Sequence, residues 1–365
     1  MSTPASAPVL EVSHLVKSFS MRQSVLAALQ RKPATEIRAV DDVSFILEGG
    51  EVLALVGESG CGKTTIARAL IGLEEPTSGE IRFSGEIVSA SRRRVRAGLL
   101  SLDSGRVGTR EHMTLPQMSL KRLRQHAQMI FQDPYESLNP RATVYEIVAE
   151  PLQVHGIARK REERLDRVRG ALEDAGLRPA ESFFERFPHE LSGGQRQRVV
   201  IAGAMVLKPE LLLADEPVSM LDVSIRAEIL NLLSQLRTER GVSILFITHD
   251  LGTVSHFADR IAVMYLGRLV EIGPTRPVLE HPQHPYTRAL LSVVPVANPR
   301  LRRERVILQG ETPNAADVPA GCRFHPRCPV VMERCSREDP PYITGDDGHG
   351  AACWLVDGPA VKGLR

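Results

Sequence analysis

The first chemical signal is the stretch Gly57-Glu58-Ser59-Gly60-Cys61-Gly62-Lys63-Thr64-Thr65. An apolar run, Leu53-Ala-Leu-Val56, stops at Gly57, and a helical pattern through Ile66-Ala-Arg-Ala-Leu70 follows Thr65. Strand, glycine loop and helix in that order, with Gly62-Lys63-Thr64 at the turn, is the context in which a loop cradles the phosphates of a nucleotide. Glycines let successive backbone N–H groups turn inward around the anion. The helix presents its N-terminus to the same charge. Lys63 is expected to reach the β- and γ-phosphates, and the Thr64 hydroxyl to bind Mg²⁺. A chance glycine-rich turn would not require the lysine, the threonine and both flanks.

Two further stretches carry charge or bind it. Leu211-Leu-Leu-Ala-Asp215-Glu216 reads as an apolar strand ending in two carboxylates. Asp215 is placed to hold Mg²⁺, directly or through water, and Glu216 to orient an attacking water as general base. Leu191-Ser192-Gly193-Gly194-Gln195 precedes a basic helix start, Arg196-Gln-Arg198. Ser192 and two glycines at a helix N-terminus form a second anion site. One nucleotide loop plus a separate phosphate-binding helix start implies two copies closing one site.

Of five cysteines, Cys61 sits in the loop and the other four, Cys322, Cys328, Cys335 and Cys353, fall in the last 44 residues. In a reducing cytosol, clustered cysteines point to metal before disulfides. Their gaps of five, six and seventeen residues are not the close C-x₂-C pairs of zinc ribbons. Four thiolates also suit an iron–sulfur cluster, with zinc, free thiols or a redox disulfide as the alternatives. Cys61 is read as structural, not as a nucleophile.

The elements that must position these residues follow from periodicity. Val9 to Phe19 and Arg38 to Leu47 are strand-like, separated by a polar insertion over about 20–37, and residues 1–8 are expected to be disordered. Glu80 to Phe83 gives a short strand, and residues 128–131 another, ending at Gln132. Residues 143–175 read as helical, with Leu165, Val168 and Leu172 on one face and Gly176 as the stop. A helix from about Gly194 to Leu207, a buried strand Leu211 to Ala214, a helix Ser224 to Leu236 and a buried strand Ile244 to Thr248 follow. Ile261–Tyr265 and Arg268–Ile272 form a hairpin across Leu266-Gly267. Strands alternating with helices imply a parallel core sheet in an α/β fold. After Gly273 prolines multiply and periodicity fades, which sets a domain boundary: 1–273 as the catalytic domain, 274–365 as an extension.

Bulk properties limit the function classes. A 365-residue chain that is 42% hydrophobic has ample material for two domains with a real core. A formal net charge of +2 creates no strong field for nucleic acid, so none is expected as partner. The longest apolar run, Val199 to Leu207, falls well short of the roughly 18 residues of a membrane span. The N-terminus lacks a charged segment followed by an apolar one, so a cytosolic protein is expected. The irregular stretch 89–118, with Arg92-Arg-Arg-Val-Arg96, reads as a surface insertion whose arginines are a solvated run more readily than a contact for acidic lipid or nucleic acid.

With its Leu191-Ser192-Gly193-Gly194-Gln195 signature beside the glycine loop, the sequence resembles the ATP-binding subunits of ABC transporters over roughly residues 9–345. That resemblance implies an ABC-type ATPase with a mixed core sheet, an antiparallel β subdomain and a helical subdomain over about 128–195. It implies ATP and Mg²⁺ as ligands, with Gly57 through Thr65 on the phosphates and Thr64, Asp215 and Gln132 on the metal. Gln132 also touches the attacking water and couples to the membrane partner. Glu216 is the base, and His249 meets the γ-phosphate. Ser219-Met-Leu-Asp222 crosses the dimer interface, with Met220 where alanine is commoner. Phe19 matches the aromatic that stacks on adenine, although tyrosine is usual there. Ser192, Gly193, Gly194 and Gln195 face the nucleotide of the opposing subunit. The turn-rich stretch 133–141 lines the groove for the coupling helices of the permeases.

The tail, with His284-Pro285-Tyr286 and Gly321-Cys322-Arg-Phe-His-Pro-Arg-Cys328-Pro, resembles the C-terminal extension of oligopeptide and dipeptide importer ATPases. Some members of that family carry a four-iron four-sulfur cluster there, and all four candidate ligands are present. The expected partners are a second ATPase subunit, identical or homologous, two transmembrane permeases and an extracytoplasmic solute-binding protein, with the chain peripheral on the cytoplasmic face of the bacterial inner membrane. An importer of nickel, glutathione or another small solute would share the fold and the chemistry. A soluble ABC ATPase acting on ribosomes or DNA would usually carry two cassettes or a long coiled coil, and this chain has neither.

Overall fold

The computed structural model describes residues 8–20, 36–90, 117–294, 306, 308, 310 and 313–356. The insertions expected at 20–37 and 89–118 and the N-terminal start lie almost wholly outside these residues. In chain order the elements begin with β1 (Pro8–Ser20), β2 (Glu36–Glu48), β3 (Val52–Val56), α1 (Lys63–Leu70), β4 (Ser78–Phe83) and β5 (Glu86–Ala90). Next come α2 (Leu120–His126), β6 (Ala127–Ile130), α3 (Pro134–Ser137), α4 (Val144–His155), α5 (Arg161–Asp174) and α6 (Gly193–Met205). The series continues with β7 (Leu211–Asp215), α7 (Val223–Arg240), β8 (Ser243–Thr248), α8 (Leu251–Val254), β9 (Arg260–Tyr265) and β10 (Arg268–Pro274). It ends with α9 (Thr275–Glu280), α10 (Pro285–Ser292), β11 (Tyr342–Thr344) and β12 (Gly350–Ala352).

The chain divides into two compact units, and the division falls inside β1, β2 and β3. The first comprises Met1–Val9, Leu47–Ala54 and Ser119–Thr248. Its strands lie in the order β3-β8-β7-β6, with β7 parallel to both β6 and β8. Every residue of β7 and β8 is buried. That matches their apolar centres, Leu211–Ala214 and Ile244–Ile247, because a parallel strand covered on both faces has no polar side. The helices of this unit carry their own start and stop signals. Thr143 and Glu146 form a capping box at the start of α4. The single helical stretch expected over 143–175 is in fact α4 and α5, interrupted at Gly156, whose φ of 71° ends α4 in the left-handed region.

The second unit comprises Leu10–Ile46, Leu55–Met118 and His249–Arg365. One sheet, ordered β2-β1-β4-β5, is antiparallel where β4 meets β1 and β5. The strict alternation of buried and half-buried residues in β4 is that of a sheet with one wet face. β5 escaped the sequence reading because its five residues border the Arg-rich stretch and show no clear period. The other strands run β11-β12-β10-β9-β3. The β9–β10 hairpin forms as expected, with Arg268 opposite Tyr265. The tail joins this sheet: β12 pairs with β10, placing Ala351 opposite Glu271.

That pairing encloses a polar cluster. Glu271 is fully buried and accepts hydrogen bonds from the N–H groups of Gln283 (2.8 Å) and His284 (2.9 Å). Its carboxylate also lies 2.7 Å from Nε2 of His349. His284 in turn caps α10, its Nδ1 accepting the Tyr286 N–H at 3.1 Å. Burial pushes the His284 pKa from 6.5 down to about 4, with Glu271 opposing the shift and Arg288 adding to it.

The neutral imidazole is therefore the folded form, and the unfolded chain takes up the proton first. Stability from this group is complete above pH 6.5 and is lost as pH falls through about 4, a swing of about 3 kcal/mol by linkage. Urea titrations across that window should show the loss. His284→Asn, which keeps an acceptor for the helix start but cannot titrate, should flatten the slope; equal slopes in the two proteins would count against the burial argument.

Candidate functional site

The glycine loop of the second unit leads from β3 into α1. Lys63 is 5% exposed, and its Nζ donates to the carbonyls of Gly57 (2.7 Å) and Glu58 (2.9 Å), with Cys61 Sγ at 3.7 Å. The first turn of α1 contains no acidic residue. A buried ammonium and an uncapped helix start with no acid in its first turn suit phosphate oxygens, so the loop fits a nucleoside triphosphate. Cys61 is buried, and that burial raises its thiol pKa, against the pull of Lys63. This agrees with the structural reading of that residue. Gly62 serves the packing as well as the anion. Its φ is 108°, and a Cβ there would overlap the Ala39 carbonyl oxygen. Thr64 and Thr65 are half-buried in the first turn of α1.

Two residues that sequence reasoning noted only as tail motifs also touch this loop. The Glu58 N–H donates to the Tyr286 hydroxyl at 2.9 Å, and Arg327 forms a two-pronged ion pair with the Glu58 carboxylate. Nothing local in the sequence ties them to the loop, because 269 residues separate Arg327 from Glu58. His249, the first residue of this unit's last segment, is exposed. Phe19, near the end of β1, is 38% exposed, and the Lys17 ammonium stands 4.8 Å from its ring centre.

The first unit carries the acidic residues. Asp215 ends β7 and is 2% exposed. Glu216 follows with φ of 46°, a left-handed conformation unusual for a residue with a Cβ. Its N–H donates to the Ile247 carbonyl at 2.9 Å, and its own carbonyl accepts from the Ser219 N–H (3.2 Å) and hydroxyl (3.0 Å). These bonds fix a backbone that would otherwise relax, and such strain collects at functional sites. Gln132, exposed just after β6, donates from Nε2 to Glu216 Oε2 at 3.2 Å. The structure thus brings Gln132 and Glu216 together.

Ser192 is the N-cap of α6. Its hydroxyl accepts the Gln195 N–H at 3.3 Å, and Gln195 returns a bond to the Ser192 N–H at 3.0 Å. The cap leaves this helix start accessible, with Ser192 exposed, while Gly194 is buried with Ile225 close by. Asp222 is exposed and is the N-cap position of α7, without a side-chain bond to that helix.

The iron–sulfur expectation for Cys322, Cys328, Cys335 and Cys353 is overturned. Among the described residues, no three or more His, Cys, Asp or Glu side chains gather into a group able to hold a metal ion. The four cysteines are free, and Cys335 and Cys353 are buried. Burial, together with the nearby thiols, pushes Cys322 up to about 11 and raises Cys328 and Cys353 as well. Burial thus favours the neutral thiol at Cys322, Cys328 and Cys353.

A glycine loop closing on its own lysine ahead of a helix, in an α/β fold, defines a phosphate-loop nucleotide-binding protein. Residues 40–219 match the ABC transporter family, and residues 270–335 match the oligopeptide/dipeptide transporter C-terminal region. The chain is 43% identical over 358 residues to the oligopeptide transport ATP-binding protein AppF of Bacillus subtilis, covering 97% of this chain and 99% of that protein. It is 42% identical over 352 residues to the dipeptide transport ATP-binding protein DppF of Haemophilus influenzae, covering 96% and 98%. Its fold is similar to that of cbiO1 from Clostridium perfringens, part of the ABC transporter complex cbiONQ (TM-score 0.57, 28% identity, 75% and 91% of the two chains). It is also similar to the ATP-binding cassette MJ0796 in a dimeric post-hydrolysis state with ADP and Pi (TM-score 0.56, 28% identity, 73% and 99%). The chain belongs to the ABC transporter ATP-binding proteins, in their oligopeptide/dipeptide group. It is an ATPase.

Two glycines of the loop should respond differently to alanine. Gly62→Ala meets both a left-handed backbone and the Ala39 carbonyl, and should lower unfolding stability by about 2 kcal/mol or more. Gly60→Ala, at φ 80° with nothing within 4 Å of the new Cβ, should cost only about 1 kcal/mol. Urea denaturation of both variants measures the difference; equal losses would remove the packing role assigned to Gly62.

Proposed function

We propose that this chain is the ATP-hydrolysing subunit of a peptide importer, peripheral on the cytoplasmic face of a bacterial inner membrane. It pairs with a second ATPase subunit, a copy of itself or a homologue. The pair works beneath two transmembrane permeases fed by an extracytoplasmic solute-binding protein. Among the described residues no helix is long and apolar enough to cross a membrane, so the membrane-spanning path belongs to the partners in this reading. The similarity of the chain to named peptide and dipeptide transport proteins over nearly its full length supports peptide as the solute.

The observation that carries the chemistry is the strained Glu216 with Gln132 beside it. In the proposed reaction Lys63 and the loop N–H groups hold the triphosphate. Thr64, Gln132 and Asp215 would hold Mg²⁺, which would neutralise charge developing on the phosphoryl oxygens. Glu216 orients water and accepts its proton, and His249 donates to the γ-phosphate. Phe19 stacks on adenine. Ser192, Gly193, Gly194 and Gln195 address the nucleotide held by the opposing subunit, with Asp222 at the same interface. A triphosphate clamped in this way favours the closed pair, because each half alone leaves γ-phosphate charge uncompensated. Hydrolysis removes that charge, and the pair opens.

Glu216→Gln should retain ATP binding and lose turnover by at least about 100-fold, the low end for a general base. Equilibrium dialysis with ATP and phosphate release from the assembled transporter measure the two effects; full-rate hydrolysis by the variant would show that another group is the base. Peptide as solute requires that ATPase activity in the assembled transporter rise with peptide-loaded binding protein and not with the unloaded one.

A further inference from the structure

Glu58 presents an electrostatic problem. It follows Gly57 in a loop that must hold a polyanion, and a carboxylate there repels the phosphates it serves. The fold meets this charge from the tail. Arg327 lies in the turn His325–Arg327. Its Nη1 is 2.9 Å from Glu58 Oε2, and its Nη2 is 3.2 Å from Oε1. This is the fork-to-fork arrangement that gives an arginine–carboxylate pair both strength and direction. The Arg327 side chain is 9% exposed and that of Glu58 27%, so water screens the pair only in part. Burial works against the guanidinium charge, but the bonds to Glu58 and Tyr265 outweigh it and raise the pKa above the ordinary arginine value.

The backbone of the same residue is held too. The Glu58 N–H donates to the Tyr286 hydroxyl. Tyr286 packs at 4.6 Å from Tyr265 and 5.4 Å from Phe324, ring centre to ring centre, and all three rings are at most 1% exposed. Phe324 is three residues before Arg327, so one short piece of tail supplies both the aromatic anchor and the charge. The Glu58 carbonyl, meanwhile, accepts from Lys63. Side chain, N–H and carbonyl of one loop residue thus connect the tail to the phosphate-binding lysine.

We propose that Arg327 is a positioning residue for ATP: it neutralises Glu58 and holds the loop in the form that admits a triphosphate, so that the C-terminal extension sets nucleotide affinity. The proposal rests on the glycine loop being the ATP site.

The experiment is equilibrium binding of a fluorescent ATP analogue, with Mg²⁺, to the full chain, together with the KM and kcat of the assembled transporter. Arg327→Ala should weaken binding and raise KM by roughly tenfold, the scale of a lost charge-assisted pair, with a smaller change in kcat. Adding Glu58→Gln should bring affinity back to within about threefold of wild type, because the uncompensated carboxylate is gone. Loss of affinity that Glu58→Gln does not repair would overturn the proposal, leaving Arg327 a prop for the fold. Unchanged affinity in Arg327→Ala would overturn it as well.

Should Arg327→Ala lack a cooperative thermal transition, Arg327→Lys and Arg327→Gln replace it. Lys should keep most of the affinity and Gln should lose it; equal affinities in those two would reject charge compensation. A wild-type chain that fails to bind the analogue would overturn the ATPase reading and this proposal with it, whereas wild-type binding with no response at position 327 overturns only the proposal.

Discussion

A buried ammonium held by the carbonyls of its own loop is the interaction on which the second unit turns. Burying the Lys63 ammonium at 5% exposure is costly without hydrogen-bond acceptors, and the Gly57 and Glu58 carbonyls supply them. The loop must therefore curl back on itself before any nucleotide arrives. That curl brings Gly62 against the Ala39 carbonyl and Gly57 against the Met264 carbonyl, leaving no space for a Cβ at either. The glycines thus answer two demands, backbone packing and phosphate access. The cost of organising the loop falls on folding and not on binding, which leaves more of the interaction energy for the ligand.

The first unit uses strain where the second uses burial. Glu216 departs from the extended backbone of β7, and three hydrogen bonds to its main chain hold it there. A side chain on a strand alternates faces, but one on a left-handed kink can be aimed elsewhere. Here it is aimed at Gln132, at the end of the neighbouring strand β6. Parallel strands make this possible, since β6 and β7 run in register and end at the same edge. The carboxylate and the amide are neighbours because two strands stop together, and strand ends of one parallel edge are where α/β folds place ligands.

What could be read in the sequence follows from how local its cause is. β3, β7 and β8 were legible because full burial writes an unbroken apolar run. The loop, the two carboxylates and the capped start of α6 were legible because each is a short motif whose spacing is the chemistry. The break between α4 and α5 was missed because Gly156 lies inside a longer amphipathic pattern, and one glycine in such a pattern can be either tolerated or a stop. The pairing of Glu58 with Arg327 could not be read at all. It depends on tertiary closure across most of the chain, and neither residue alone is unusual. The cysteine reading failed for a related reason. Spacing counted four thiols of the right kind but could not report where burial would place them.

The tail is instead secured by ordinary means. β12 adds to β10, and Glu271 beneath that pairing collects two backbone N–H groups and His349. A carboxylate with no exposure is costly unless its lone pairs are used, and here the tail supplies all three groups that use them. Elsewhere the Cys322 N–H donates to the Cys335 carbonyl at 2.8 Å, and an added Cβ at Gly321 would crowd the Glu338 N–H at 2.9 Å. Arg323 reaches the Leu266 carbonyl and the Asp41 carboxylate, which Arg268 also engages. Among the described residues, buried charge and backbone hydrogen bonds therefore fasten the extension. The same extension carries Arg327, so the contacts that fasten it also set where its guanidinium meets the Glu58 carboxylate.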